Sequence, residues 1–260
     1  MKRINLIIAL FLFATFAVKA IEFEPVPMAN TSFRSGEQLY YQLRYGYMVG
    51  GVVQLSLTDV FQDKMMMFHA VGICQTSGLA DKIYGVKDIY ESWFDKKTGL
   101  PYRQIRNIKE GRYKWYNEVA YSRQNNTVTS KRSGVHETPV NIMDVLSMLY
   151  YIRRIDYSKM KDGDVMNLKV YFGDEISSFK LRYRGIETID TKYGKIRCHR
   201  ISPVVEVGRM FKSPDDLALW VSDDGNYIPV KVRMNIRIVG AVNMELTNYT
   251  NLKNPLGIVR

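Results

Sequence analysis

The chain has 260 residues, of which 46% are hydrophobic, and 37 basic against 26 acidic residues give a formal net charge of +11. That apolar content builds a sizeable core, and the basic excess favours anionic surfaces such as lipid headgroups or acidic glycans. The lysines and arginines are spread along the chain rather than gathered into runs, as on an ordinary solvated surface.

The first element is a leader. Lys2-Arg3 precede an apolar run from Leu6 to Ala14 that extends to Val18, and Val18-Lys19-Ala20 place small side chains at a cleavage position before the polar Ile21-Glu22-Phe23-Glu24-Pro25. This is the pattern of a secretory signal peptide, residues 1–20. A membrane span needs about 20 apolar residues, and Asn5, Thr15 and Lys19 interrupt this run. The mature protein is expected to begin near Ile21 with 34 basic and 26 acidic residues, a charge of +8. Export argues against nucleic acid as a target. No cysteine follows the apolar run for lipid attachment, so a soluble protein of the periplasm, or one associated with the outer membrane, is expected, with no transmembrane span after cleavage.

Beyond the leader the pattern is that of strands. From Glu37 to Tyr47, Leu39, Tyr41, Leu43, Tyr45 and Tyr47 share one parity and Gln38, Gln42 and Arg44 the other, the period of a half-buried strand. Gly50-Gly51 turn the chain into Val52–Val60, and strands over Met65–Cys74 and Val86–Asp95 follow. Asp95-Lys96-Lys97-Thr98-Gly99 is turn chemistry, and Pro101 opens the next strand where a missing amide hydrogen does least harm. Tyr102–Ile108 and Arg112–Ser122 read as a hairpin around Glu110-Gly111, and Asn125-Asn126 turn the chain toward Val128.

The pattern changes at Asn141–Arg154, where Ile142, Val145, Leu146, Leu149 and Ile152 recur at helical spacing. Asn141 is the expected cap, and Arg153-Arg154 suit the negative end of the helix. Strands resume at Val165–Phe172, Ser177–Tyr183, Glu187–Lys192, Ile196–Ile201, Leu217–Ser222, Tyr227–Ile238 and Ala241–Tyr249. The two β-rich stretches, about 33–135 and 160–250, resemble each other. Trp93 to Trp220 and Gly46 to Gly173 are each 127 positions apart, and Asp95 to Asp223 and Pro101 to Pro229 are each 128. A pseudo-repeat of two antiparallel halves in one β-rich unit, residues 21–260, is therefore expected, with the helix between them. One long curved sheet or open barrel would bury its apolar face together with the helix.

Catalytic signatures are absent: there is no nucleophile elbow, zinc-protease motif, phosphate-binding loop or dinucleotide fingerprint. No cofactor and no metal site is expected, because His69, His136 and His199 lack ligand-like spacing. Cys198 and His199 are adjacent on a strand and point to opposite faces. Asp88, Glu91 and Asp95 could supply a carboxylate pair for glycoside chemistry, but Asp88 differs in parity from the other two, and Asp95 and Asp223 each suit a turn-capping role. Cys74 and Cys198 lie on strands; a disulfide is open to them in an oxidising compartment, as is packing as free small hydrophobes, the reading favoured here. The aromatic residues carry the most functional promise. Tyr41, Tyr45, Trp93, Tyr113, Trp115 and Trp220 are the candidate ligand-binding residues of a concave face with basic residues at its rim, and core packing is the alternative.

Gly36-Glu37 ahead of a tyrosine-rich strand, Tyr45-Gly46 with Gly50-Gly51, Asp88-Ile89-Tyr90-Glu91-Ser92, the run Asp144–Arg153, and Trp220-Val221-Ser222-Asp223-Asp224 with Ile228-Pro229 together resemble the exported bacterial family catalogued as domain of unknown function 3108. The resemblance runs from about Phe33 to Leu246. It implies an exported β-rich protein of Gram-negative bacteria with no assigned activity and no catalytic residues to carry over. The repeated tryptophan, aspartate, turn and proline also look like the hairpins of periplasmic lipoprotein carriers, which would make the helix a lid or plug. The expectation is a non-enzymatic envelope protein that binds an amphipathic or lipid-like ligand, or docks on an envelope partner. A glycan-acting enzyme using Glu91 and Asp88, and a structural subunit of an envelope assembly, are the rivals.

Overall fold

Alternating residues become strands because one side chain in two can then be buried while its neighbours stay wet. The computed structural model describes residues 29–204, 213, 216–236 and 240–259, so the expected signal peptide lies outside the described residues. Eight strands precede the central helix: β1 (Gln38–Tyr45), β2 (Met48–Gln62), β3 (Met65–Thr76), β4 (Lys87–Asp95), β5 (Pro101–Glu110), β6 (Tyr113–Ser122), β7 (Thr127–Ser130) and β8 (Gly134–Glu137). After it come β9 (Val165–Phe172), β10 (Glu175–Thr191), β11 (Gly194–Pro203), β12 (Leu217–Ser222), β13 (Pro229–Ile236), β14 (Gly240–Thr250) and the short β15 (Ile258–Val259). The helices are α1 (Gly78–Ile83), which the sequence pattern did not predict, and α2 (Val145–Ile152).

All fifteen strands form one curved antiparallel sheet in the order β8-β7-β6-β5-β4-β3-β2-β1-β14-β13-β12-β11-β10-β9, with β15 beside β11. Within β1–β8 and within β9–β14 neighbours in sequence are neighbours in the sheet, and the pairing of β1 with β14 joins the two halves. In each half the strand that carries the tryptophan shifts register just after it, at Trp93/Phe94 and at Trp220/Val221. β10 is one strand of 17 residues where two were expected. A bulge between Tyr183 and Ile186, with Gly185 at φ 80°, interrupts the alternation without ending the ladder.

The ladder stays open between β8 and β9, and side chains close the seam. Asp174, in the turn after β9, accepts hydrogen bonds from Asn117 Nδ2 at 3.0 Å and Ser130 Oγ at 2.7 Å. Arg106 of β5 lies 3.8 Å over the Phe172 ring of β9. Met143 donates to the Lys169 carbonyl and accepts from the Tyr171 amide, which covers the free edge of β9.

α2 fills the space that the sheet encloses. Leu146, Ser147, Met148, Tyr150, Tyr151 and Ile152 are buried. Its cap is Asp144 rather than Asn141, which sits at φ 60° three residues earlier. Asp144 and Ser147 form a reciprocal capping box, and Ser92 of β4 donates to the same carboxylate at 2.5 Å. Gly72 admits the helix, since a Cβ there would come within 3.3 Å of Leu146. Arg153, expected to suit the negative end of the helix, turns inward. It is buried and clamps Glu37 through two hydrogen bonds of 2.6 and 2.8 Å, while its Nε donates to the Asn226 carbonyl. Arg154 is also buried and donates to the Lys97 carbonyl.

Candidate functional site

The six aromatic residues expected on one concave face do not gather there. Tyr41 points inward and is 1% exposed, beside the Glu37–Arg153 pair and Tyr150. Trp115 is half-buried with the Arg106 guanidinium 4.6 Å from its ring. Trp93 and Trp220 lie on the outer face, because register places them opposite His69 and Arg103, and opposite Arg200 and Lys231, while Ser92 and Leu219 face inward. Trp93 is sandwiched between the stacked His69 ring at 4.1 Å and Arg103 at 4.6 Å. His69 meets Glu91 and Arg103 meets Glu118 in turn. Trp220 donates from Nε1 to Glu187 at 2.9 Å, and its neighbour Lys231 pairs with Glu245. Both tryptophans are thus locked into polar ladders on the outside. Alternation alone could not decide which parity faces inward.

The remaining two, Tyr45 and Tyr113, belong to one end of the barrel. The β1–β2 turn, the β3–β4 connection with α1, and the β5–β6 turn all open on that rim. Ser77 N donates to the Gly50 carbonyl, Gly111 N to the Gly85 carbonyl, and the Tyr84 hydroxyl to the Glu110 carbonyl. The rim therefore carries Tyr45, Tyr47, Met48, Leu79, Ile83, Tyr84 and Tyr113, all exposed, with Tyr47 at 101% and Ile83 at 76%. Large apolar side chains exposed together at one end of a folded chain mark an interaction site. Lys82, Lys87, Lys109, Arg112 and Lys114 are exposed around it. The sequence signal missed was Leu79 and Ile83, four apart on one side of a short helix, together with the adjacent Tyr84.

Beneath the rim, inward positions bring Cys74, Asp88, Tyr90, Arg106 and Glu110 together. Burial, and then the charge of Asp88, push the Glu110 carboxyl up to about 7. Burial also raises Asp88 and lifts the Cys74 thiol to about 12. The mouth thus combines an oily lip with two buried carboxyls, Asp88 and Glu110, whose proton affinity burial raises, a surface suited to an amphipathic molecule with a polar end. Asp88 faces inward and Glu91 outward, where it bonds His69, so these two carboxylates cannot flank one glycosidic bond.

Cys74 and Cys198 are both buried and free, so no disulfide joins them. Their strands, β3 and β11, lie six places apart in the sheet. Asp95 caps its turn as expected, accepting from the Lys97 and Thr98 amides. Asp223 does not. Asp224 caps that turn, through Asn226 N and Gly257 N, while Asp223 reaches His199 Nε2 at 3.0 Å and Arg197 at 3.1 Å. His199 Nδ1 meets the Tyr183 hydroxyl at 3.0 Å, and its ring stacks on Tyr157 at 4.7 Å. Burial lowers the imidazole's proton affinity against the opposing pull of Asp223. Among the described residues no three His, Cys, Asp or Glu side chains converge on a metal position.

A family model described as "Protein of unknown function (DUF3108)" matches residues 40–247. Among solved structures, a β-barrel-like protein of domain of unknown function DUF1849 from Brucella abortus is similar, with a TM-score of 0.54 and 7% identity over 85% of this chain and 99% of that one. A DUF1089 family protein from Pseudomonas aeruginosa gives a TM-score of 0.34 and 8% identity over 77% and 90%. No curated protein matches the sequence. At 7% identity the likeness to the DUF1849 protein concerns the fold alone.

Proposed function

The chain belongs to the DUF3108 family, and from the geometry of its mouth we propose that it is an exported, non-catalytic envelope protein that binds an amphipathic, lipid-like ligand at that rim. The observation that carries this reading is the ring of exposed apolar side chains from Tyr45 to Tyr113, with cations around it and a protonatable carboxyl pair beneath. An acyl chain or a lipid surface covers such a lip at a gain of about 25 cal/mol per Å² of apolar area. The basic neighbours suit an anionic headgroup. The envelope location rests on the leader at residues 1–20 and on the positive balance of the chain.

Native mass spectrometry of protein purified from its own envelope tests the reading. A co-purifying lipid-like mass is expected, and it should be lost in the double variant Leu79→Asp, Ile83→Asp. Those two positions are exposed, so the variant should melt within about 1 °C of the parent, surface changes costing little. A ligand-free parent protein, or retention of the same ligand by the double variant, would overturn the proposal.

A further inference from the structure

Outward positions on β14, β1, β2, β3 and β4 register into two parallel rows. Asn248, Tyr40, Gln54, Ile73 and Ile89 stand opposite one another in the first, and Glu245, Gln42, Val52, Gln75 and Lys87 in the second. Directly opposed residues of antiparallel strands project from the same face, so four amides, a tyrosine ring and a lysine share one stretch of the outer wall. Along it runs a groove of about 380 Å³ lined by Tyr40, Gln42, Gln54, Gln75, Lys87 and Asn248 together with the apolar Val52 and Ile73. That volume lies within the range of small-ligand sites, about 300–1,000 Å³.

The chemistry of this stretch differs from the rest of the outer wall. The tryptophan ladders are knitted by ion pairs, whereas here Glu245 is engaged by Lys231 and Lys87 is the one cation of the groove. The Tyr40 hydroxyl donates to Gln38 Oε1, which pins the ring along β1. Asn248 Oδ1 accepts from the Tyr249 amide and leaves its own NH₂ free to donate outward. The Gln42 oxygen likewise accepts from Arg44, while the side-chain amides of Gln54 and Gln75 each carry a donor and an acceptor side by side.

We propose that this groove binds a neutral oligosaccharide, independently of any ligand at the mouth. Vicinal hydroxyls match the paired donor and acceptor of an amide, and the fixed Tyr40 ring offers an apolar face to the C–H side of a sugar. Neighbouring strands lie about 4.8 Å apart, close to the length of one sugar ring, so a chain laid across the strands between the two rows meets at least one polar side chain on each strand. An acyl chain there would leave the amides without partners, at a cost of about 1–3 kcal/mol for each group buried unpaired. A peptide strand cannot add to the sheet at this point, because β1, β2 and β3 are each paired on both sides.

The test is calorimetric titration of the purified protein with hexasaccharides of the chitin, cellulose, amylose and mannan series. At least one should bind with a Kd between about 10 μM and 1 mM. Gln54→Ala, Gln75→Ala and Tyr40→Ala should each weaken it about tenfold, with Thr129→Ala on β7 as the unaffected control. Tyr40→Phe, which keeps the ring, should lose less than Tyr40→Ala. No heat from any of the four series with a natively melting protein would overturn the proposal. So would binding that survives all three substitutions.

Discussion

Arg153 shows how much one side chain can hold. Its guanidinium is buried and clamped to an equally buried Glu37, while Phe33 and Tyr150 lie 5.1 and 5.3 Å from it. Removing one partner of such a pair strands the other charge in the interior, at a cost of about 3–5 kcal/mol. Glu37→Gln and Arg153→Met should therefore each lower the melting temperature by about 10 °C, at 2–4 °C per kcal/mol for a chain of this size. The double substitution should cost less than the sum, which calorimetry of the four proteins would measure. Glu110 makes the opposite prediction. Its carboxyl is raised to about 7 in the folded chain, chiefly by burial. The native state therefore favours the protonated form, and this contribution is fully present below about 4.5 and lost as pH rises through about 7. Glu110→Gln should melt above the parent at pH 8.5, by about 2–4 °C for each kcal/mol recovered, and level with it at pH 4.5. Equal melting at both pH values would contradict the shift.

At the scale of elements, α2 is too short to be stable by itself and exists because the sheet buries it. Its anchors are Asp144 at one end and Arg153 at the other, received by Ser92 and Glu37. These four residues all belong to the segments that carry the family resemblance, so the recognisable motif includes the latch between plug and barrel. Asp144→Ala removes the cap and the acceptor for Ser92; a loss of about 1–2 kcal/mol is expected, read as a drop of several degrees in melting temperature. α1 contrasts with α2. None of its residues is buried, and it contributes exposed Leu79 and Ile83 to the rim instead of packing the core.

For the whole molecule the decisive feature is that the barrel closes by side chains and not by backbone. A meander that starts at β9, runs through β14 into β1 and ends at β8 leaves its two edges facing each other across Asp174. Asp174→Ala deprives Asn117, Ser130 and the Tyr171 hydroxyl of their shared acceptor. Amide exchange in β8, β9 and residues 140–144 should then quicken about tenfold, the equivalent of about 1.4 kcal/mol of opening free energy, with β1–β3 unchanged. Exchange that rises evenly over the sheet would show that the seam is not a separate unit of stability.

The amino-acid sequence by itself determined the local elements. The alternation over Glu37–Tyr47 marked the strand Gln38–Tyr45, Asp95 caps the turn its spacing indicated, and the apolar stripe from Val145 to Ile152 is the plug. These follow from periods of 2 and 3.6 and from turn chemistry, which act over a few residues. Tertiary structure decided everything that depends on which face is inside. Trp93 and Trp220 went outward, Asp223 went to His199, and Arg153 was clamped by Glu37. It also decided that hairpin ends remote in sequence would meet in one oily mouth. The physical reason is that alternation marks two faces without saying which one is buried; that is settled by the register of β1 on β14, about 200 residues apart in the chain, and by the helix both halves must cover.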